Sequence, residues 1–383
     1  MKNIIFISAE KLSPKIRRDW YINDFLQDNY NIEFWDVSSL IKSDKLVNEN
    51  YEKISIQEIT DIKVLESRIA EKNNESIIYA VLVTYTYEAL NIYKLITKYN
   101  LFTIFFYWGE FPLVYTEKRM LSKVKNYFSL NISFHTLIKR IFQRQYVKLL
   151  RKIGYIKKYD LCFYAGDICK QLSYSKKNIS VCLCDYKQNM KAKSFISNEK
   201  YSVFIDINLP YHPDTFYSYT IDDDKYFKSL NNFFNKYEKE YGIKVIIAAH
   251  PKSKYDNRTF DGREIYYLKT AELIKSCEHV FLHHSTAISY AVLNYKPMSF
   301  LITDEIINST DFFLTKGLSD YFNKDLINID DLSTTRVDIG KLDKELYDKY
   351  KYSYIVSRAT EGTDTTKTVL ESLNKYSLIQ KNA

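Results

Sequence analysis

One stretch of the chain, residues 244–302, limits the possible folds more than any other. Three short apolar runs alternate there with segments of helical spacing, and each run ends in small or polar residues. This alternation is typical of βαβ units, in which buried strands of a parallel sheet are joined by helices. The stretch therefore predicts a parallel α/β sheet.

Polar residues follow two of these runs, where the predicted strands end. The segment 249–252 (AHPK) comes after the run 245–247, and the segment 283–286 (HHST) comes after the run 280–282. In open α/β sheets ligands bind beyond the carboxyl ends of the strands, and hydroxyls at a helix start favour a phosphate. We therefore expect a nucleotide here, with these donor-binding residues: His250, Pro251, Lys252, Thr270, His284, Ser285 and Thr286.

The expected roles follow from the residue types. Pro251 would hold the strand exit rigid, so that the His250 imidazole can donate a hydrogen bond to a phosphate oxygen on the leaving nucleotide. Thr270 is a candidate N-cap for a helix over 271–277, and Ser285 with Thr286 would open the next helix. A lone histidine at a strand end is commonly a packed side chain, so the combination carries the prediction.

Length and pattern together indicate two Rossmann-like domains that face a cleft. The chain has 383 residues, enough for two ordinary α/β domains, and residues 3–8, 32–37, 75–84 and 101–107 also read as strands. We predict an N-terminal acceptor domain over 1–198 with a basic helical insertion at about 113–158. A C-terminal donor domain would span 199–345, followed by C-terminal helices over 346–383 that, by fold analogy alone, would cross back to the N-terminal domain.

A catalytic carboxylate is expected near the cleft, and the sequence offers several. Glu110 stands among aromatic residues after a predicted strand, where partial burial would raise its pKa toward that of a general base. The alternative, slightly favoured, is an ordinary loop glutamate that caps Phe111-Pro112. The loop 206–214 contains two prolines and concentrates Asp206, Asn208, His212 and Asp214; it could orient the acceptor, supply a base, or form a purely structural turn.

The segment 117–158 is strongly basic and amphipathic. Twelve lysines and arginines accompany a single acid, Glu117, and apolar residues recur at three- and four-residue steps. Such helices can lie on an anionic membrane surface, although a hairpin packed on its own domain with a solvated basic face fits as well. Nucleic acid is not favoured, because no nucleic-acid-binding signature accompanies the charge.

Cysteine usage and hydropathy set the expected location. The five cysteines form no zinc pattern, and with no signal peptide in view we expect reduced thiols in the cytoplasm. No apolar run approaches the roughly 20 residues that span a bilayer, so membrane contact would be peripheral, at the inner face.

The spacing of these motifs is similar to that of a known enzyme family. His-Pro at 250–251, followed about 35 residues later by the Ser285-Thr286 pair, resembles the sialyltransferase-like bacterial glycosyltransferases of GT-B architecture, and capsule and lipopolysaccharide transferases look similar across roughly 201–303. The resemblance implies that His250, Ser285 and Thr286 bind a donor nucleotide, often CMP joined to a nonulosonic acid or Kdo. The family's acidic-acidic-Gly motif has no counterpart here, which leaves Glu110, then Asp206 or Asp214, as candidates for the base.

The sequence thus predicts a metal-independent glycosyltransferase without a cofactor. Its substrates would be a nucleotide-activated sugar and a lipid-linked or oligosaccharide acceptor of surface-glycan synthesis. A polyol-phosphate transferase or a nucleotide-sugar 2-epimerase of the same fold is an alternative, and so is a non-catalytic membrane-associated scaffold.

Overall fold

A computed structural model describes residues 2–41, 47–72, 76–108, 112, 134–170, 173–211, 221–307, 309–333, 336–340 and 342–381. These residues form two compact units. Unit 1 comprises the described parts of 1–108, 135–184 and 356–383, and unit 2 comprises those of 109–134 and 185–355.

Unit 1 contains a seven-stranded sheet in which every pair of neighbours is parallel, in the order β3-β2-β1-β4-β5-β6-β7. Its inner strands are nearly continuous in apolar residues, as expected where helices cover both faces of a sheet. The strands are β1 (Lys2–Ser8), β2 (Tyr30–Asp36), β3 (Ile54–Glu58), β4 (Ile77–Leu82), β5 (Thr103–Tyr107), β6 (Tyr159–Ala165) and β7 (Ser175–Val181).

The helices of unit 1 alternate with these strands. They are α1 (Pro14–Asp19), α2 (Ile22–Gln27), α3 (Ser38–Ile41), α4 (Ile62–Glu71), α5 (Leu90–Lys98), α6 (Phe134–Lys152) and the C-terminal α14 (Thr365–Lys381). One face of the sheet shares a buried core with α4 and α5, and Val147 and Leu150 of α6 belong to the same core. The basic segment therefore has a helix packed onto unit 1 through one of its faces.

Unit 2 contains a six-stranded, wholly parallel sheet in the order β10-β9-β8-β11-β12-β13. The strands are β8 (Tyr201–Ile205), β9 (Lys244–Ala249), β10 (Ile265–Tyr267), β11 (Val280–Leu282), β12 (Met298–Ile302) and β13 (Leu326–Asn328). The helices are α7 (Cys184–Lys191), α8 (Asp223–Tyr241), α9 (Thr270–Ser276), α10 (Ile288–Leu293), α11 (Asp304–Ile307), α12 (Thr310–Tyr321) and α13 (Lys344–Tyr350).

The predicted α/β class and parallel sheets are confirmed. Helices α1 and α2 are separated at Tyr21, which takes a left-handed backbone conformation with φ 57°. α12 ends at Tyr321, and β13 forms the edge of the sheet. In the described part of the chain no helix has both the length and the apolar character needed to cross a bilayer.

Candidate functional site

The centre of the unit 2 sheet is a topological switch point. β8 lies between β9 and β11. After β8 the chain adds β9 and β10 on one side of this strand, and it then adds β11, β12 and β13 on the other side. Ile205 at the end of β8 pairs with Ala248 on one side and with Leu282 on the other. The residues that follow these three strands therefore meet at one edge, which is where open α/β sheets bind ligands.

His250 follows β9 in a tight turn held by its own backbone. The His250 carbonyl accepts from the Ser253 backbone N–H at 2.9 Å and from the Ser253 hydroxyl at 2.8 Å. The Lys252 backbone N–H donates to His250 Nδ1 at 3.2 Å, so in the neutral ring the proton is assigned to Nε2. The imidazole is half-buried and Pro251 and Lys252 are exposed, so the turn lies at the surface of the unit, at the carboxyl edge of the sheet.

Asp206 fixes this turn to the neighbouring strand. Its Oδ2 accepts from the His250 backbone N–H at 3.0 Å and lies 2.9 Å from the Tyr255 hydroxyl, while Oδ1 accepts from the Asn208 backbone N–H at 2.8 Å. Asp206 is 4% exposed, and this burial raises its pKa against the lowering effect of the hydrogen bonds. The contacts are those of a positioning residue that aligns His250, and the base role stays a prediction.

Asn208 completes the loop after β8. It is buried, it has a left-handed backbone with φ 55°, and its Oδ1 lies 3.0 Å from the Tyr255 hydroxyl. The Tyr255 hydroxyl thus joins the β8 loop to the segment that follows His250. Glu110, His212 and Asp214 lie outside the described residues, and their expected roles stay predictions.

Ser285 and Thr286 follow β11 but do not cap α10 directly. The N-cap of α10 is Ala287, which has no side-chain capping bond, and the Ser285 hydroxyl instead accepts from the Ala287 backbone N–H at 3.2 Å. Thr286 is exposed. Because α10 has only six residues, any phosphate contact here depends more on the hydroxyls than on a long helix dipole.

Thr270 is likewise not an N-cap. It is the first residue of α9, the N-cap is Lys269, and no side chain caps that helix. Thr270 follows the edge strand β10, two strands from β8. The capping prediction was wrong because the helix begins one residue earlier than its apolar pattern indicated.

Two neighbouring histidines after β11 differ sharply. His283 is fully buried: Nδ1 donates to the Leu301 carbonyl at 2.7 Å, and Nε2 accepts from the Tyr226 hydroxyl at 2.8 Å. Desolvation lowers its pKa to about 4, so the ring is neutral and structural. His284 is half-buried, with Nδ1 3.4 Å from the Thr315 hydroxyl and Nε2 3.9 Å from Asp311 Oδ1, which ties it to the start of α12.

A polar cavity of about 680 Å³ lies at the opposite, amino edge of the same sheet. Its lining includes Ser299, Lys324, Arg336 and Asp338, and none of the predicted site residues. The switch-point residues are therefore separate from this cavity.

Comparisons with known proteins identify the fold. No protein-family model matches the chain, and no curated protein matches it. Among solved structures, the wall teichoic acid polymerase TagF aligns over 99% of this chain and 90% of its own, at 10% identity and a TM-score of 0.54. S. aureus MnaA, in a co-structure with UDP, aligns over 98% and 97% at 12% identity and a TM-score of 0.49. The spinosyn forosaminyltransferase SpnP aligns over 98% and 99% at 11% identity and a TM-score of 0.48.

The likeness to TagF covers nearly the whole chain and concerns the fold. The chain has the GT-B fold, with two Rossmann-like units that each contain a parallel sheet and alternating helices. The GT-B prediction is thus confirmed, and the sialyltransferase-like relationship stays a prediction.

Proposed function

We propose that the chain is a glycosyltransferase that moves a sugar from a nucleotide-activated donor, bound by unit 2, to a glycan acceptor. The single observation that carries this proposal is the meeting of the His250 turn and the Ser285-Thr286 turn beside the same central strand, β8. With neighbouring strands about 4.8 Å apart, the ends of β9 and β11 are separated by about 10 Å. Phosphate and sugar of one activated donor can bridge such a distance.

His250 and the two hydroxyl residues have the central role in the proposed chemistry. His250 Nε2–H would donate to a phosphate oxygen and stabilise the charge that grows as the glycosidic bond breaks, and Ser285 and Thr286 would donate to other oxygens. These donors neutralise the leaving nucleotide without a metal ion. Glu110 would take the acceptor proton; we prefer it to Asp206, whose oxygens already accept the hydrogen bonds that hold the His250 turn.

The substrates are proposed from the sequence resemblance. The donor would be a CMP-linked acidic sugar, a nonulosonic acid or Kdo, and the acceptor a lipid-linked glycan of capsule or lipopolysaccharide assembly. Transfer would then take place in the cytoplasm, at the inner face of the membrane. No resident cofactor is required, because the activated donor is itself a substrate.

A polyol-phosphate transferase is the second candidate. The observation that favours it is the fold likeness to TagF, a wall teichoic acid polymerase of which one structure was obtained after a soak with CDPG. Transfer of a phosphate-linked polyol would use the same donors at the switch point, because the leaving group is again a nucleotide phosphate. Product analysis distinguishes the two, since only this reaction adds a phosphate to the acceptor.

A thermal-shift panel of CMP, CDP, UDP and GDP tests the nucleotide site. A ligand at about 100 times its dissociation constant should stabilise the protein by roughly 2.7 kcal/mol. We expect CMP to give the largest shift, His250→Ala to reduce it, and Lys254→Ala, a change of an exposed residue just past the turn, to leave it unchanged. If no nucleotide raises the melting temperature of the wild type, the proposed function is wrong.

A further inference from the structure

Helix α6 has one face buried in unit 1 and a second apolar face in solvent. On the inner face, Val147 and Leu150 are buried in the core, and the Arg151 guanidinium lies over the rings of Tyr174 and Tyr85, 4.5 and 5.1 Å from their centroids. These contacts fix the rotation of the helix about its axis. The outward face is therefore defined by the structure and not only by the sequence pattern.

The outward face carries a stripe of exposed apolar side chains. At about 100° per residue, Ile138, Phe142 and Leu149 fall within roughly 40° of arc on the side opposite Val147, along about 16 Å of helix, and Ile153 directly follows the last helical residue. Large apolar side chains are normally exposed singly, whereas contiguous exposed apolar surface marks an interaction site. The exposed fractions are 36% for Ile138, 50% for Ile141, 71% for Phe142, 49% for Tyr146, 52% for Leu149 and 64% for Ile153.

Positive charge flanks this stripe on both sides. On the same helical wheel Lys148 and Lys152 follow one edge of the stripe and Lys139 follows the other. Residues 134–158 contain eight lysines and arginines and no aspartate or glutamate. An apolar strip between cations is the pattern of a helix that lies in the plane of an anionic membrane surface.

We propose that this α6 stripe docks the protein onto an anionic lipid bilayer, with Phe142 and Leu149 entering the interface between head groups and acyl chains. The charge distribution selects this occupant over a second copy of the chain. A symmetric dimer through the same face would bring two sets of like charges together, which costs free energy, whereas anionic head groups attract them. The proposal builds on the proposed function in one respect, because it explains how a lipid-linked acceptor would be reached.

A fluorescent label at position 142 tests the depth of docking. All five native cysteines are buried, so Phe142→Cys supplies an exposed thiol for an environment-sensitive dye. We expect a blue shift and stronger emission with phosphatidylglycerol-containing vesicles, and a much smaller change with phosphatidylcholine vesicles. The matched control is Ile196→Cys in unit 2, where the native side chain is 90% exposed and the dye should stay in water.

Vesicle flotation with matched variants tests the contribution of the cations and that of the apolar stripe separately. Each cation contributes about 1 kcal/mol near an anionic surface, so Lys148→Gln and Lys152→Gln should each lower partitioning about fivefold. Lys94→Gln, on the exposed side of α5, is the matched control. Phe142→Ser with Leu149→Ser should abolish flotation, whereas Ile196→Ser should leave it intact.

Each contrary result overturns the docking proposal. Equal partitioning to neutral and anionic vesicles would show that the cations do not drive binding. Wild-type flotation by the double variant Phe142→Ser, Leu149→Ser would show that the apolar stripe does not contact the membrane. Sedimentation showing a dimer that Phe142→Ser dissociates would make the stripe a self-association surface. None of these assays contains a nucleotide, so failure here is distinguishable from failure of the proposed transferase activity.

Discussion

Two buried aspartates, one at the end of a strand in each sheet, show how one architecture serves two purposes. In unit 1 Asp36 ends β2, and its Oδ2 lies 2.7 Å from the Lys11 ammonium and accepts from the Asn48 amide, also at 2.7 Å. In unit 2 Asp206 follows β8, and its described hydrogen bonds come from two backbone N–H groups and the Tyr255 hydroxyl. One carboxylate is neutralised by a cation, and the other aligns a histidine.

The difference appears in the pKa values of the two carboxyl groups. Burial alone would raise both, but the bonds from Lys11, Ser38 and Asn48 bring the pKa of Asp36 below its usual 3.8. Burial prevails at Asp206, whose pKa is raised. An ion pair thus stabilises the strand end in unit 1, whereas in unit 2 the carboxylate holds the polar turn that contains His250. The two parallel sheets are alike, so function depends on these strand-end residues.

The largest effect should come from breaking the ion pair of unit 1. Asp36→Ala leaves the Lys11 ammonium, 11% exposed, without its closest partner, and loss of one member of a buried pair costs about 3–5 kcal/mol. Chemical denaturation measures this loss. Glu66→Ala is the control, because its pair with Lys98 is largely exposed and screened by water, so losing it should leave the free energy of unfolding almost unchanged. Equal losses in the two variants would contradict the structural role of Asp36.

His250→Ala should have the next largest effect, and on catalysis instead of stability. Loss of one donor to a developing negative charge lowers kcat by about 10²–10³-fold. The melting temperature should change little, because the imidazole is half-buried and the turn is held by the backbone of residue 250. Steady-state kinetics with a CMP-sugar donor checks this, with Lys254→Ala as control. Near-normal turnover by the His250→Ala variant would show that the His250 side chain does not stabilise the leaving group.

His283 tests whether the unit 2 edge needs a neutral histidine. Its pKa is about 4 against an ordinary 6.5, so the folded state binds fewer protons than the unfolded state between these values. Stability should therefore fall by about 3 kcal/mol from this group as the pH drops from 6.5 to 4. Because buried His279 is depressed as well, to about 3, the assignment needs NMR of the His283 ring. A His283 titration midpoint near 6.5 would contradict the burial argument.

The sequence predicted the central strands and the candidate strand ends but not their contacts. β4 and β9 are covered on both faces, so their apolar runs are continuous, whereas the edge strands β3 and β7 carry polar residues and gave no comparable signal. The sequence correctly predicted that Ser285 and Thr286 lie between β11 and α10. Their hydrogen bonds were not, because capping depends on backbone angles that residue types do not determine.

The structural role of His283 was missed although a signal existed. Side chains alternate across a strand, so His283 shares the face of Phe281, which packs against Phe233 of α8. His284 then lies on the other face, and its contacts are with α12. The partnership of Asp206 with the His250 backbone had no local signal, because it joins residues 44 positions apart.

The smallest effect, and the sharpest test of the comparison, is the pH dependence of the two aspartates. Asp206→Asn exchanges one acceptor oxygen for a donor and should cost about 1–3 kcal/mol. Ionisation of Asp206 is unfavourable in the folded state, so its contribution to stability is present below pH 3.8 and is lost as the pH rises through its elevated pKa.

Asp36 contributes stability above pH 3.8, which is lost as the pH falls through its lowered pKa. The destabilisation by Asp36→Asn should therefore shrink toward low pH, and that by Asp206→Asn should shrink toward high pH. Urea unfolding of both variants and the wild type between pH 3.5 and 8 gives the two slopes. Slopes of the same sign would mean that Asp206 is held as an anion like Asp36, and the contrast between the two strand ends would then fail.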